Sequence, residues 1–276
     1  MEQPAVDLYD TSYGEFSTGA QQAVRRETYG EDIGQTGWMT ADELRHFMTL
    51  LSLSRSSSVL EIGSGSGGPA LFMAQAVGCS IVGLDINRFG VDNANELARR
   101  RGLDSLVRFR LADASRPLAF EPQTFDAVFS NDAMCHLPRR PQVLKEWHRV
   151  LKPGGLMLFT DATVVTGLVS HEEIARRSSI GYYCFVPGGL NERLIEEAGF
   201  ELVRSEDLTS SAAVVSGRWH DARESLRREL TGIEGEGNFE GLQAFLRCVR
   251  VLSGEGRLSR YMYLARKPGA CGAGGS

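Results

Sequence analysis

From residue 57 onward the apolar positions change rhythm at regular intervals. Compact apolar runs of four to six residues lie at 59–62, 80–85, 107–111, 125–130 and 156–160. Segments of helical spacing fall between most of them, at 68–77, 91–101 and 141–151; the last points Val143, Leu144, Trp147, Val150 and Leu151 inward. A short run apolar on both faces reads as a strand buried on both sides, and the segments between are long enough to be crossover helices. Repeated strand-helix units joined by short connections predict an α/β fold with a mostly parallel sheet and helices on both faces. Lys152-Pro-Gly-Gly155 reads as a turn before the strand at 156–160.

The flanks follow other patterns. Residues 1–39 hold no period and predict a cap of short helices and loops. Thr40 then offers an N-cap hydroxyl with Glu43 three residues on, a capping box ahead of Leu44, Phe47, Met48 and Leu51 at helical spacing. After Asp161 the alternation stops. Residues 162–189 combine a helical stretch at 170–177 with apolar residues at 180–186. A helix at 191–198, a stop at Gly199 and a strand at 200–203 restore the rhythm. Residues 212–254 predict two helices joined around 232–237, and 260–266 alternates like a last strand. The expected organisation is an N-terminal cap at 1–54 and one domain at 55–268. That domain carries lid insertions near 162–189 and 208–254, and a low-complexity, disordered tail follows at 269–276. Insertions after the carboxyl ends of strands build the substrate pocket of an open α/β sheet.

Candidate chemistry gathers at those strand ends. Residues 59–68 read VLEIGSGSGG, with glycines at 63, 65, 67 and 68 and Pro69 opening the next helix. Glycine lets the chain adopt φ > 0 and lets a ligand approach the main chain, so strand, glycine loop and helix form a nucleotide-binding turn. Gly63, Gly65 and Gly68 satisfy GxGxxG, and Asp85 stands near the distance of a ribose-binding acid, as in an NAD(P) site. Glu61, however, places an acid where a dinucleotide site prefers an apolar residue. Asp85 ends the second strand, Asp113 follows the third, and Asn131 and Asp132 follow the fourth. These groups suit a ligand with an ammonium, a ribose and an adenine, and no basic side chain is placed for a pyrophosphate. An NAD(P)-linked oxidoreductase remains an alternative, although the chain has no Tyr-x-x-x-Lys.

Five stretches in order carry a resemblance. VLEIGSGSGG, GLDIN, LADA, FDAVFSNDAMCHL and LKPGGLMLFTD resemble the motifs of class I S-adenosylmethionine-dependent methyltransferases over residues 57–161. The remainder is similar to the small-molecule subgroup, which includes phosphoethanolamine, sarcosine/dimethylglycine and ubiquinone-type methyltransferases. The stretch YGEDIGQTGWM at 29–39 resembles the segment that closes over their cofactor. The resemblance implies a Rossmann-like, seven-stranded, mostly parallel sheet and S-adenosylmethionine as cofactor. It implies a lining of Gln35, Trp38, Glu61, Gly63, Ser64, Gly65, Asp85, Ile86, Asp113, Ala114 and Asn131. A sulfonium already activates its methyl group, so the enzyme's task is to position the acceptor. A base is needed where the acceptor carries a proton. His136 is the expected base, with Asp132 as a substrate contact or as the group orienting it. In the phosphobase enzymes a tyrosine of the N-terminal segment pairs with this histidine. Here Ile33 aligns in its place, and Ala162 stands where a second tyrosine is expected. That disfavours a phosphobase acceptor, and Tyr13 and Tyr29 are the candidates to fill the gap.

Composition narrows the partners. The chain has 276 residues, 42% hydrophobic and 24% charged, with a net charge of −5. A pI near 5.6 argues against a broad phosphate-neutralising surface, hence against nucleic acid. No apolar run approaches the roughly 20 residues of a membrane span. The polar, acidic start MEQPAVDLYD is unlike a secretory signal, and five dispersed cysteines suit reduced thiols without metal-ligand spacing, so a cytoplasmic setting is expected. Cys135 reads as a buried spacer, and Trp219, His220 and Arg223 as a solvated helix face. Tyr182, Tyr183 and Phe185 either line an apolar acceptor pocket or pack the lid. The expectation is methyl transfer to an N, O or C nucleophile of a small, partly hydrophobic metabolite, by a chain free to form a homodimer. A cofactor-binding but non-catalytic relative is the other alternative.

Overall fold

The computed structural model describes residues 6–269, so all but the first residue of the expected disordered tail lies outside the described residues. Three helices come first: α1 (Tyr9–Gly14), α2 (Gly19–Tyr29) and α3 (Ala41–Leu50). The capping box at the start of α3 is present in both directions, Thr40 accepting from the Glu43 amide and Glu43 from the Thr40 amide. The alternating core follows as β1 (Ser58–Ile62), α4 (Gly68–Val77), β2 (Ser80–Asp85), α5 (Arg88–Arg100), β3 (Val107–Leu111) and β4 (Phe125–Ser130). After a 3-10 turn at Met134–His136 come α6 (Arg140–Val150), β5 (Leu151–Val165), α7 (His171–Arg177), β6 (Val186–Pro187), α8 (Leu190–Glu197) and β7 (Glu201–Asp207). The chain closes with α9 (Thr209–Ser225), α10 (Arg227–Glu234), α11 (Glu236–Gly254) and β8 (Leu258–Arg266).

Among the described residues the sheet has eight strands, seven of them in the order β3-β2-β1-β4-β5-β8-β7, with β6 paired to β5 off this path. The strands from β3 to β5 run parallel, and β8 lies antiparallel to both its neighbours. The fold is thus the Rossmann-like, mostly parallel sheet expected. Its extra strand is the two-residue β6, inside the insertion at 162–189. Strand alternation sends Val59 into the core beneath one face, with Leu44, Phe47, Leu71 and Phe129, and Leu60 into the other, with Val128, Trp147 and Phe159. A third apolar cluster joins the N-terminal cap to the late helices through Val24, Tyr29, Trp38, Trp219 and Phe245.

Several strand and helix ends shift by a few residues, and three differences from expectation have a clear cause. α5 starts at Arg88, before residue 91, because the Asn87 side chain accepts from the Gly90 amide and caps it. The Lys152-Pro-Gly-Gly stretch belongs to β5: Leu151 already pairs with Phe125, and the ladder absorbs the turn-like Gly154 (φ 79) as an irregularity. The segment 212–254 forms parts of three helices and not two. The chain breaks once at Leu226 (φ −110, ψ 20) and again at Gly235 (φ 79, ψ 153).

Candidate functional site

The carboxyl ends of β1, β2 and β4 converge under the N-terminal cap. Glu61, the penultimate residue of β1, is 2% exposed, and its Oε2 has no hydrogen-bond partner. Burial, reinforced by the nearby Asp85 charge, pushes its carboxyl well above the usual range. The buried Ser64 hydroxyl is also unpartnered. Gly63 (φ 75) donates its amide to the Leu84 carbonyl at 2.8 Å, and a Cβ there would collide with that of Ala133. The amide of Gly65 (φ 51) donates to Asp85 at 2.7 Å, and Asn87 N donates to the other Asp85 oxygen at 2.8 Å. Burial raises the Asp85 carboxyl while these amides pull it back. Two orphaned acceptors beside an open glycine backbone are costly unless a donor meets them. The ammonium of an amino-acid-like ligand supplies such donors, so the residues present fit the expected cofactor.

Asp113, beyond β3, accepts from the Ser115 amide at 2.9 Å and its hydroxyl at 2.6 Å, and these bonds lower its carboxyl. Beside it Ala114 is buried, whereas Ile86 is 63%, Phe89 51% and Leu111 47% exposed. An apolar rim of this kind at the ends of β2 and β3 suits a planar ring. Gln35 binds inward, accepting from Ile33 N and donating to the Glu31 carbonyl, and so shapes its loop. Trp38 is buried, with ring centroids 6.2 Å from Phe245 and 5.9 Å from Trp219.

Asp132 and Asn131 share a network centred on Arg260 and Thr160. Asp132 (φ 51) accepts from Arg260 Nε at 2.8 Å, the Thr160 hydroxyl at 2.8 Å and Trp38 N at 3.1 Å. Asn131 Oδ1 accepts from Arg260 Nη2 at 3.1 Å and from Thr160. Neither ring nitrogen of His136 bonds to Asp132, so the orienting role expected of that carboxylate falls elsewhere. His136 Nδ1 lies 2.8 Å from the Tyr182 carbonyl, which only accepts, so Nδ1 carries the proton. Nε2, 2.8 Å from the Tyr9 hydroxyl, is then the acceptor, and Tyr9 donates. Burial pushes the imidazole down to about 4, and the Arg177 charge acts in the same direction, so the ring is neutral at ordinary pH. Burial raises the Tyr9 phenol well above its ordinary value.

The tyrosine partner of His136 is therefore Tyr9, neither of the two candidates named from the sequence. Tyr13 bonds Thr36 at 3.3 Å and would lie 2.7 Å from a Cβ on Gly65, over the glycine loop. The Tyr29 hydroxyl donates to the Gly37 carbonyl at 2.9 Å. Tyr183 packs its ring 4.4 Å from that of His136. Trp219 and Arg223 are buried, at 8% and 2% exposure, and do not form a solvated face. α9 packs against both α2 and α11, and Arg223 is neutralised by Glu234. Cys135 is buried, its thiol donating to the Asp132 carbonyl at 3.3 Å, and burial raises that thiol. Tyr9, Arg177 and Arg260 escaped the sequence reading. For Arg260 a signal existed: it shares the inward face of an alternating strand with Met262 and Leu264. Arg177 hides in an Arg-Arg helix end that reads as solvated, and Tyr9 sits in a stretch without period.

Residues 60–159 match the family described as "Methyltransferase domain". A 27-O-demethylrifamycin SV methyltransferase of Amycolatopsis mediterranei (strain S699) is 29% identical over 258 residues, 88% of this chain and 92% of that one. The phosphoethanolamine N-methyltransferase 2 of Haemonchus contortus, solved with phosphomonomethylethanolamine and S-adenosylhomocysteine, superposes with a TM-score of 0.78 at 21% identity. The match covers 94% of this chain and 60% of that one. The cyclase SpnF gives a TM-score of 0.74 at 20% identity over 98% of this chain and 100% of that one. At such identities the two structures show the fold alone. The chain spans 37% to 58% of the length of the first curated relatives it matches. No helix among the described residues is long and apolar enough to cross a membrane.

Proposed function

We propose that this chain, whose residues 60–159 match the methyltransferase-domain family and lie in a Rossmann-like sheet, is a class I S-adenosylmethionine-dependent methyltransferase. It acts on an N, O or C nucleophile of a small, partly hydrophobic metabolite. S-adenosylmethionine supplies an activated methyl group when bound. Glu61 and Ser64 hold its ammonium, Asp85 its ribose, and Ile86, Asp113 and Ala114 its adenine. The N-terminal cap at 1–54 and the lid insertions near 162–189 and 208–254 enclose the acceptor and exclude water. The partner is a free metabolite, not nucleic acid, and the setting is the cytoplasm, in keeping with the acidic pI of 5.6.

The observation that carries the acceptor chemistry is the Tyr9–His136 pair, 2.8 Å between Oη and Nε2, which joins α1 to the turn after β4. As the acceptor atom takes a methyl group its proton becomes acidic. It passes to the Tyr9 oxygen while the Tyr9 proton moves to His136 Nε2, so the charge ends on an imidazolium held by the Tyr182 carbonyl. A half-buried imidazole whose loss of solvent pushes it down to about 4 resists protonation in the resting state, so transfer waits for an acidified acceptor. A second reading is binding of the cofactor without methyl transfer, on a fold that the cyclase SpnF shares over 98% of this chain. Incubation with S-adenosylmethionine and a panel of hydroxylated, aminated and enolic metabolites separates the two. Mass spectrometry should detect a methylated product together with equimolar S-adenosylhomocysteine; tight cofactor binding without either, across the panel, favours the second reading.

A further inference from the structure

We propose that Arg177 binds a carboxylate of the methyl acceptor, so that the substrate class is small, partly hydrophobic carboxylic acids. The inference rests on the methyltransferase reading above and names the substrate of that same site. Four other buried arginines are each neutralised: Arg25 by Asp32, Arg140 by Asp161, Arg223 by Glu234, and Arg260 by Asp132 and Glu43. Arg177 is 1% exposed and forms no salt bridge among the described residues. Its Nε and Nη1 have no hydrogen-bond partner, and Nη2 makes one long bond of 3.5 Å to the Ala162 carbonyl. Nearby Asp161 is already committed to Arg140, Asn191 and Thr163.

Aromatic rings surround this cation. Its guanidinium carbon lies 4.4 Å from the Tyr183 ring centroid, 5.2 Å from Phe245 and 6.0 Å from Trp38. Burial works against the charge, while these rings and the Tyr183 side chain beside it hold the guanidinium charged, yet none of them is an anion. Most of its five N–H donors therefore still call for an anion. The same Tyr183 ring lies 4.4 Å from the His136 ring, so the cation stands one ring away from the Tyr9–His136 pair. A carboxylate on Arg177 would anchor one end of an apolar metabolite among these rings and leave its nucleophile at the proton relay. A charge-assisted bond in so dry a place confers both affinity and orientation.

The test is calorimetry on the full chain loaded with S-adenosylhomocysteine, with benzoate as probe carboxylate and benzamide as its neutral isostere. Wild type should bind benzoate at least about tenfold more tightly than benzamide. Arg177→Met should abolish that preference, and Arg177→Lys should keep part of it. Without benzoate, Arg177→Met should also raise the melting midpoint, because it removes an unpaired buried charge. Equal affinity for the two probes in wild type, no binding of either to a chain that holds S-adenosylhomocysteine, or a preference surviving in Arg177→Met overturns the proposal. So does a lowered midpoint in that variant, which marks the guanidinium as a packing element. Failure of wild type to bind S-adenosylhomocysteine sinks the methyltransferase reading itself and this proposal with it, whereas failure of benzoate discrimination alone falls on Arg177.

Discussion

Replacing Arg260 with methionine keeps the length of the side chain and removes a charge that ties three parts of the cleft together. Arg260 is fully buried in β8. It donates to Asp132 at 2.8 Å, to both oxygens of Glu43 at 3.0 and 3.2 Å, and to Asn131 at 3.1 Å. It thus binds the last strand to α3 and to the loop that carries His136. Breaking a buried pair by removing one partner costs about 3–5 kcal/mol, because the other charge is left uncompensated. Two features draw the expected cost toward the lower end. Asp132 keeps the Trp38 amide and the Thr160 hydroxyl as donors. Glu43, with a side chain 15% exposed, keeps the Thr40 amide and some water. Urea unfolding followed by circular dichroism at pH 7 should show a loss of about 3 kcal/mol with an unchanged slope. Adding Asp132→Asn to Arg260→Met should restore part of that loss, because the stranded charge is then gone. A loss below about 1 kcal/mol, no more than an exposed pair contributes, would refute the account of this network as a buried, mutually dependent hub.

Gly63→Ala forces a Cβ onto that of Ala133 at a left-handed φ of 75, so the melting midpoint should fall by the equivalent of about 2–4 kcal/mol; an unchanged midpoint would show that the loop relaxes freely. Acid should destabilise the chain through His136. Its folded value of about 4 lies below the ordinary 6.5, so the unfolded state takes the proton first, and the stability it contributes is lost as pH falls from about 6.5 through about 4. His136→Asn should flatten that part of a pH-stability profile relative to wild type, and identical profiles would contradict the half-buried, neutral ring. Tyr9→Phe should lower kcat on a proton-bearing acceptor by about a hundredfold while leaving the dissociation constant for S-adenosylhomocysteine unchanged; undiminished turnover would remove the relay.

Sequence and structure agree most closely where the determinants are local. The spans of α4, β2, β3 and β4 match expectation to the residue, because short apolar runs there are bounded by glycines, acids or a first-turn proline. The glycine turn was legible for the same reason: Gly63 and Gly65 adopt the left-handed backbone that their residue type permits. What escaped was long-range. The Tyr9–His136 bond spans 127 positions, and Arg260 reaches Asp132 across 128. Neither separation leaves a periodic trace. Asp132 drew attention as an acid at a strand end, yet an arginine contributed from the far end of the chain decides what it does. Trp219, set in a helix of mixed polarity, looked solvated because α9 is covered on more than one side and so shows no single apolar stripe.

Calorimetric titration with S-adenosylhomocysteine addresses the central claim most directly. Wild type should bind at micromolar order, and Asp85→Ala should weaken binding by at least about tenfold, since the acid that holds the Gly65 amide, and that we propose binds the ribose, is lost. No heat with wild type, or equal affinity in Asp85→Ala, would contradict the reading of this cleft as a cradle for S-adenosylmethionine.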